Sequence, residues 1–527
     1  MELKHISDIE RATKRGRSEL FRFGMALFFV VGVMLYAGMR GDGQGSLVLI
    51  VAAMIGAYMA MNIGANDVAN NVGPAVGSKA LTMVGALVIA AIFEMAGALI
   101  AGGEVVGTIR SGIIDPKAIA DGATFVWVMM AALLAGALWL NLATAFGAPV
   151  STTHSIVGAV LGAGVASSGL DAANWGTMSG IVASWVVSPL LGGVIAAAFL
   201  YLVKHTITYK QDMLSAAGKM VPLLVALMVW AFTTYLLLKG LNKVWKVSFG
   251  AAMGYGFALA ALVYFAVKPM IVRASSRLEN SKQSINRLFT VPLIFSAALL
   301  SFAHGSNDVA NAVGPLAAIV DVVVQSPHEI ADKAAIPLWV MVVGALGIAI
   351  GLMLFGPRLI RTVGSEITEL DQMRAYCIAM SATITVIVAS QLGLPISSTH
   401  VAVGGVFGVG FLREYIKRNY SQMLADIRIH HPENEQAAVN EFLARFAEAS
   451  VEEKGEMLAD LKKRAKMHLD PAHFTKMERK ELKNVYQQEL VKRSQFLRIA
   501  AAWIITVPAS ALMAALCFFM IRGMMLP

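Results

Sequence analysis

Long apolar stretches separated by short polar ones run through almost the whole chain. Stretches such as "MSGIVASWVVSPLLGGVIAAAFLYLV" (178–203) and "VSFGAAMGYGFALAALVYFAV" (247–267) reach the length of about 20 residues at which an apolar helix crosses a bilayer. Thirteen segments of this kind are predicted: 24–39, 47–66, 80–102, 123–144, 150–166, 178–203, 221–238, 247–267, 290–306, 338–356, 375–392, 396–412 and 497–521. The pattern predicts an all-α polytopic membrane protein with about 12–13 membrane segments. Two stretches break it. The first 23 residues are polar, too long a run for a cleavable leader, and predict a short amphipathic cytoplasmic helix. Residues 413–496 are also hydrophilic, and their capped, charge-alternating segments predict a soluble helical insertion.

Composition agrees, with 57% hydrophobic and only 15% charged residues among 527. The net charge of +9 lies mostly in the segments between spans, so it marks cytoplasmic loops rather than a nucleic-acid surface. Cys377 and Cys517 both sit in apolar segments, where buried thiols are expected and a disulfide framework is not.

Three elements occur twice. "GANDVANNVGPAVG" (64–77) matches "GSNDVANAVGPLAA" (305–318), and "GAPVSTTHSIVGAVLG" (147–162) matches "GLPISSTHVAVGGVFG" (393–408). "ASWVVSP" (183–189) matches "AAWIITVP" (501–508). The spacing between copies is 241 at Asn66 and Asn307, 246 at Ser151 and Ser397, and 318 at Trp185 and Trp503, which places the insertion inside the second copy. Corresponding loops carry opposite charge bias: "SSGLDAANWGT" (167–177) has no Lys or Arg, whereas its counterpart is the basic insertion. Opposite bias puts the two halves in opposite orientations. The expected organisation is 1–46, a cytoplasmic segment with an extra first span; 47–203, repeat 1; and 204–289, two linking spans with a basic cytoplasmic loop. Residues 290–412 form the main part of repeat 2, 413–496 the cytoplasmic insertion, and 497–527 the last span of repeat 2. The N-terminus is then cytoplasmic and the C-terminus outside.

Inverted repeats with broken or re-entrant helices are the architecture of secondary transporters, with ligand sites near the midplane. Asn66, Asp67 and Asn70, with Asn307, Asp308 and Asn311, lie at the ends of apolar spans beside Gly and Pro. Carboxylates there are costly unless they face a cavity, a partner or an ion. Their hard oxygen donors suit a monovalent cation, and capping turns between spans are the alternative. "PVSTTH" and "PISSTH" read as helix starts, with Pro at N1 and hydroxyl caps. Two such N-termini meeting at the midplane would offer Ser151, Thr152, Thr153, Ser397, Ser398 and Thr399 to an oxyanion. Ordinary capping is the alternative. His154 and His400 follow these clusters and are candidates for proton relay or substrate contact, or for a structural hydrogen bond. Glu94 is a mid-span carboxylate, functional by default or satisfied between helices. No nucleophile–base pair, metal cluster or nucleotide loop is apparent, so neither an enzyme nor a cofactor is expected.

Together these motifs resemble the inorganic phosphate transporter family, which includes sodium-phosphate symporters and proton-linked permeases. The resemblance is carried by Gly64–Asn70, Gly305–Asn311, Pro149–His154, Pro395–His400 and "IFEMAGALIAGGEVVGTIRSGIID" (92–115), the last similar to the sodium-linked branch. It implies phosphate held between the two Ser/Thr clusters, Na⁺ near Asn66, Asp67, Asn307 and Asp308, and a homodimer in the cell (inner or plasma) membrane. The second glutamate of sodium-linked relatives has no counterpart in "AYCIAMSATITVIVAS" (375–390). That leaves H⁺ coupling or a metal-phosphate as alternatives, with sulfate the alternative substrate. A channel-like or sensing membrane protein is the reading from a different class.

Overall fold

The computed structural model describes residues 2–525 except 41–45, 149, 241–244, 326–335, 367–369, 431–432 and most of 450–492. The described residues are helical throughout, apart from short loops and one isolated antiparallel bridge between Ile114 and Ala173. In chain order the helices of the first half are α1 (Glu2–Gly38), α2 (Ser46–Gly77), α3 (Met83–Ala101), α4 (Gly103–Gly107), α5 (Gly122–Ala145), α6 (Thr152–Ser168) and α7 (Trp175–Val203). Linking helices α8 (Met213–Tyr235), α9 (Phe249–Ser275) and α10 (Lys282–Leu288) follow. The second half comprises α11 (Thr290–Asp308), α12 (Ala310–Gln325), α13 (Leu338–Glu366), α14 (Gln372–Gln391), α15 (Ser398–His430), α16 (Glu433–Glu448) and α17 (Arg493–Met525).

Many of these helices start where a short polar side chain can cap them. Thr82, Asp121, Ser151, Asn174, Asp212, Ser248, Ser281 and Asp371 each accept the backbone N–H three residues on. Each cap satisfies a donor that lipid cannot. Eleven helical segments among the described residues are long and apolar enough to cross a membrane. The two remaining predicted segments, 150–166 and 396–412, fall on α6 and α15. The bridge between Ile114 and Ala173 joins the chain just before α5 to the loop just after α6. The α5–α6 pair is therefore a hairpin that returns to the end where it began.

Several local expectations are corrected. The N-terminal polar segment is not a separate short helix, because α1 runs unbroken from Glu2 into the first span. Nor does α2 break at "GANDVAN"; it stays helical from Ser46 to Gly77, and Pro74 is accommodated within it. The second copy is interrupted only at Val309, between α11 and α12. The polar residues project sideways from helices whose own backbone bonds are kept. The breaks lie instead at the tips of the α5–α6 and α14–α15 hairpins. There the helices begin at Thr152 and Ser398, after Ser151 and Ser397, so the prolines precede the caps rather than occupying N1. Pro149 itself lies outside the described residues, as does most of 450–492 in the predicted insertion, of which Glu433–Glu448 forms α16.

Packing links the two halves reciprocally. Gly64 of α2 lies against the backbone of Ile348 in α13, and Gly351 of α13 against Met61 in α2. The counterparts repeat the arrangement: Gly305 of α11 meets Glu94 in α3, and Gly97 of α3 meets Phe302 in α11. Likewise Gly158 of α6 approaches Val507 in α17, and Gly404 of α15 approaches Pro189 in α7. Small residues let the backbones touch, which is how helices associate where lipid removes the hydrophobic drive. Each half is thus completed by helices of the other, and the polar motifs are carried into one shared interior.

Candidate functional site

The N-termini of α6 and α15 meet inside this interior. Thr153 Oγ1 donates to the Ile396 carbonyl at 2.9 Å, and the His154 and His400 ring centroids are 4.3 Å apart. Ser151 caps α6 by accepting the His154 N–H at 3.1 Å, and Ser397 does the same for His400 at 3.2 Å. Ser151, Thr152, Thr153, Ser397, Ser398 and Thr399 are all buried. The sequence-predicted oxyanion donors therefore come together as two facing helix starts, whose free N–H groups and dipoles favour negative charge. Ser398 Oγ has no hydrogen-bond partner among the described residues.

Each hairpin tip is held by an asparagine from an earlier helix of the same half. Asn66 donates to Thr144 Oγ1 at 3.0 Å and accepts the Val150 N–H at 3.2 Å. Asn307 donates to Ser390 Oγ at 3.0 Å and to the Leu394 carbonyl at 3.3 Å. Both asparagines thus tether the hairpin tips and precede the aspartates by one residue in the chain.

The aspartates reach across the halves. Thr399 Oγ1 of the second half donates to Asp67 Oδ1 of the first at 3.0 Å. In the opposite sense, Thr152 Oγ1 donates to Asp308 Oδ2 at 3.0 Å. Asn70 donates to Thr399 Oγ1 at 2.8 Å, and Asn311 donates to Thr152 and Thr153, both at 3.3 Å. Asp67 and Asp308 are buried, and so are Asn70 and Asn311. Acceptor oxygens nevertheless outnumber donors here. Asp67 Oδ2, Asp308 Oδ1, Asn307 Oδ1 and Asn311 Oδ1 have no hydrogen-bond partner among the described residues. Buried acceptor oxygens in such number are the kind of group that can hold a cation.

His304, which the motif search passed over, stands at the centre. Its Nε2 faces Asp308 Oδ2 at 3.3 Å and Asp67 Oδ2 at 3.5 Å, and its Nδ1 faces Glu94 Oε2 at 3.3 Å. The ligand atoms of Asp67, His304 and Asp308 all lie within 4.8 Å of one another. Asn71 donates to Glu94 Oε1 at 2.8 Å. The available signal was a histidine in an apolar span one residue before "GSNDVAN". Glu94 therefore joins the aspartates, by way of His304. His154 and His400 pack on each other instead, with ring centroids 4.3 Å apart. His154 Nδ1 is 2.7 Å from Ser151 Oγ, and Trp185 stacks on the His154 ring at 3.7 Å between centroids. The Trp185 indole N–H donates to the Pro395 carbonyl at 3.2 Å, tying α7 to the second hairpin tip.

Residues 63–514 match the model of a phosphate transporter family. A Helicobacter pylori protein named "Putative phosphate permease" is 53% identical over 524 residues, covering 98% of each chain. A protein of the same name from Chlamydia trachomatis is 39% identical over 389 residues, covering 70% of this chain and 90% of its own. Among solved structures, one titled "The sodium-dependent phosphate transporter" superposes with a TM-score of 0.72 at 29% identity, covering 91% of this chain and all of that one.

Proposed function

Because the chain belongs to the phosphate transporter family, we propose that it imports inorganic phosphate by symport with Na⁺. Phosphate sits between the α6 and α15 N-termini on Ser151, Thr152, Thr153, Ser397, Ser398 and Thr399. Na⁺ sits at Asp67 and Asp308, with amide oxygens of Asn66 and Asn307 completing the shells. The two halves act as inverted repeats, and transport proceeds by one hairpin-bearing bundle moving against the rest.

The observation that carries this reading is the crossed pair of contacts, Thr399 to Asp67 and Thr152 to Asp308. One hydroxyl in each cluster touches both the anion's place and the cation's place, so occupancy of one site reorients the ligands of the other. Neither motif contains Lys or Arg. The anion's charge must then be offset by helix dipoles and by the bound cations, which makes binding of the two mutually dependent.

Labelled-phosphate uptake into proteoliposomes, with Na⁺ and pH gradients imposed separately, tests the reading. Uptake should follow the Na⁺ gradient and be competed weakly by sulfate. Uptake indifferent to both gradients would sink symport altogether, while ΔpH-driven uptake in sodium-free buffer would move the coupling to H⁺. Asp67→Asn and Asp308→Asn should each strongly reduce Na⁺-coupled uptake. Wild-type rates and cation dependence in both variants would refute the cation assignment.

A further inference from the structure

A second gathering of charge lies at the foot of the α14–α15 hairpin, the end opposite its tip. α7 and α15 run side by side in the same direction, with Pro189 against Gly404 and Gly193 against Gly408. Toward the foot each buries a cation. Lys204, in the π-helical turn Lys204–Thr208 that continues α7, is 7% exposed, and Arg413 of α15 is 6% exposed. Thr208 of the same turn donates to Met373 Sδ at 3.8 Å, which brings Arg374 of α14 alongside. Phe289, directly after α10, packs on Tyr376 of α14 at 5.4 Å between ring centroids and brings Lys282 of α10 to this end. The charges of Lys282, Arg413 and Arg374 all act on Lys204. Arg413 stands 14 residues past Thr399 on α15, about 21 Å along the helix, so the group is separate from the central site.

Charge does not balance here. Asp371 is the one carboxylate among the charges that act on Lys204, and it is already engaged. It accepts the Arg374 backbone N–H at 2.9 Å and the Arg374 Nε–H at 2.8 Å. Lys204 itself makes no hydrogen bond or ion pair with any described residue. Burying a cation among like charges is costly unless an anion joins them. Lysine offers a compact point charge and arginine a planar fork, and the two together suit the oxygens of a phosphate group. Loop charge assigns this end to the cytoplasm, the side on which basic pockets between membrane helices take phosphate headgroups.

We propose that Lys204, Lys282 and Arg413 form a second anion site, for a phosphate group carrying net negative charge, at the foot of the α14–α15 hairpin. A phosphate group held there ties α7 and α10 to the hairpin that bears Ser398 and Thr399. The site is independent of the transport reading, since its ligand is bound apart from the two helix N-termini. Two sources offer this chemistry: inorganic phosphate and the headgroup of an anionic lipid.

The test is binding to the full-length protein in detergent and sodium-free buffer, for wild type, K204M, K282Q and Thr399→Val. Inorganic phosphate is titrated by calorimetry, and retention of phosphatidylglycerol and of phosphatidylcholine is measured by native mass spectrometry. K204M should weaken one of the two anionic probes by about tenfold or more, the loss expected for one hydrogen bond to a charged group. K282Q, at a half-buried position, should act in the same direction. Thr399→Val alters the central site and should leave this binding unchanged. Loss of phosphatidylglycerol with phosphatidylcholine unaffected supports the site and identifies a lipid headgroup. Loss of inorganic phosphate supports it and identifies the free anion. Equal binding by wild type, K204M and K282Q, including none at all, overturns the inference. So does equal loss of both lipids, because net charge would then not be what is recognised, and so does a matching loss in Thr399→Val. Should K204M fail to fold, K282Q decides: weakened binding supports the site and wild-type binding overturns it. Failure of Na⁺ symport in the flux assay leaves these outcomes untouched.

Discussion

Replacing Thr399 by Val removes one hydroxyl and almost no volume. In the structure that hydroxyl donates to Asp67 Oδ1 at 3.0 Å and accepts from Asn70 Nδ2 at 2.8 Å, at a position only 1% exposed. Asp67 Oδ1 keeps its second donor, Asn70 Nδ2 at 3.3 Å, so the carboxylate is not left bare. The loss is then that of one hydrogen bond to a charged group, about 1.5–3 kcal/mol. At about 1.4 kcal/mol per tenfold, this corresponds to a roughly 10- to 150-fold change. It should fall on the Na⁺ concentration for half-maximal uptake and on the phosphate KM together, since the hydroxyl serves both sites. Thr399→Ser keeps the hydroxyl and should stay close to wild type. The assay is ³²P uptake in proteoliposomes over a Na⁺ series, run also on Asp67→Asn and the double variant. Thr399 acts through Asp67, so the two effects should be far from additive. Uptake by Thr399→Val within twofold of wild type would refute the crossed-contact reasoning. So would a Thr399→Ser variant as damaged as Thr399→Val, since keeping the hydroxyl would then have made no difference.

Two predictions concern the frame around the site. Arg110, in the π-helical turn Thr108–Gly112, forms an ion pair with Asp321 of α12, and both residues are buried. Arg110→Met alone should lower stability by about 3–5 kcal/mol, and Arg110→Met with Asp321→Leu should recover most of it. Detergent-solubilised melting temperatures check this, and equal melting in single and double variants would contradict it. A Cβ at Gly351 or Gly97 would strike the backbone of Met61 or Phe302. Gly→Ala at either should cost about 1–3 kcal/mol by overpacking, whereas Gly254→Ala, with nothing within 4 Å, should melt like wild type.

Much of this molecule is written in short-range signals. Apolar length, the hydroxyl and carboxyl caps, and the paired motifs at spacings of 241 and 246 residues give the spans, the hairpin tips and the two polar clusters. Such signals act within a few residues, between a side chain and its own helix or the solvent around it, and any copy of the sequence carries them. They misled where the same residues permit two local outcomes. "GANDVANNVGP" has the composition of a break, yet α2 stays helical, because its polar side chains found partners on other helices and the backbone never had to open. Partnership across the chain was decided only by packing. Thr399 lies 332 residues from Asp67, and Thr152 lies 156 from Asp308. Glu94 meets His304 because Gly97 and Gly305 allow α3 and α11 to touch. The sequence by itself thus determined the helices, the duplication and the kinds of ligand each motif offers. Which motif faces which, and that a histidine stands among three carboxylates from three helices, came from the tertiary structure. Those contacts depend on where backbones can approach, and that is a property of paired surfaces rather than of either segment alone.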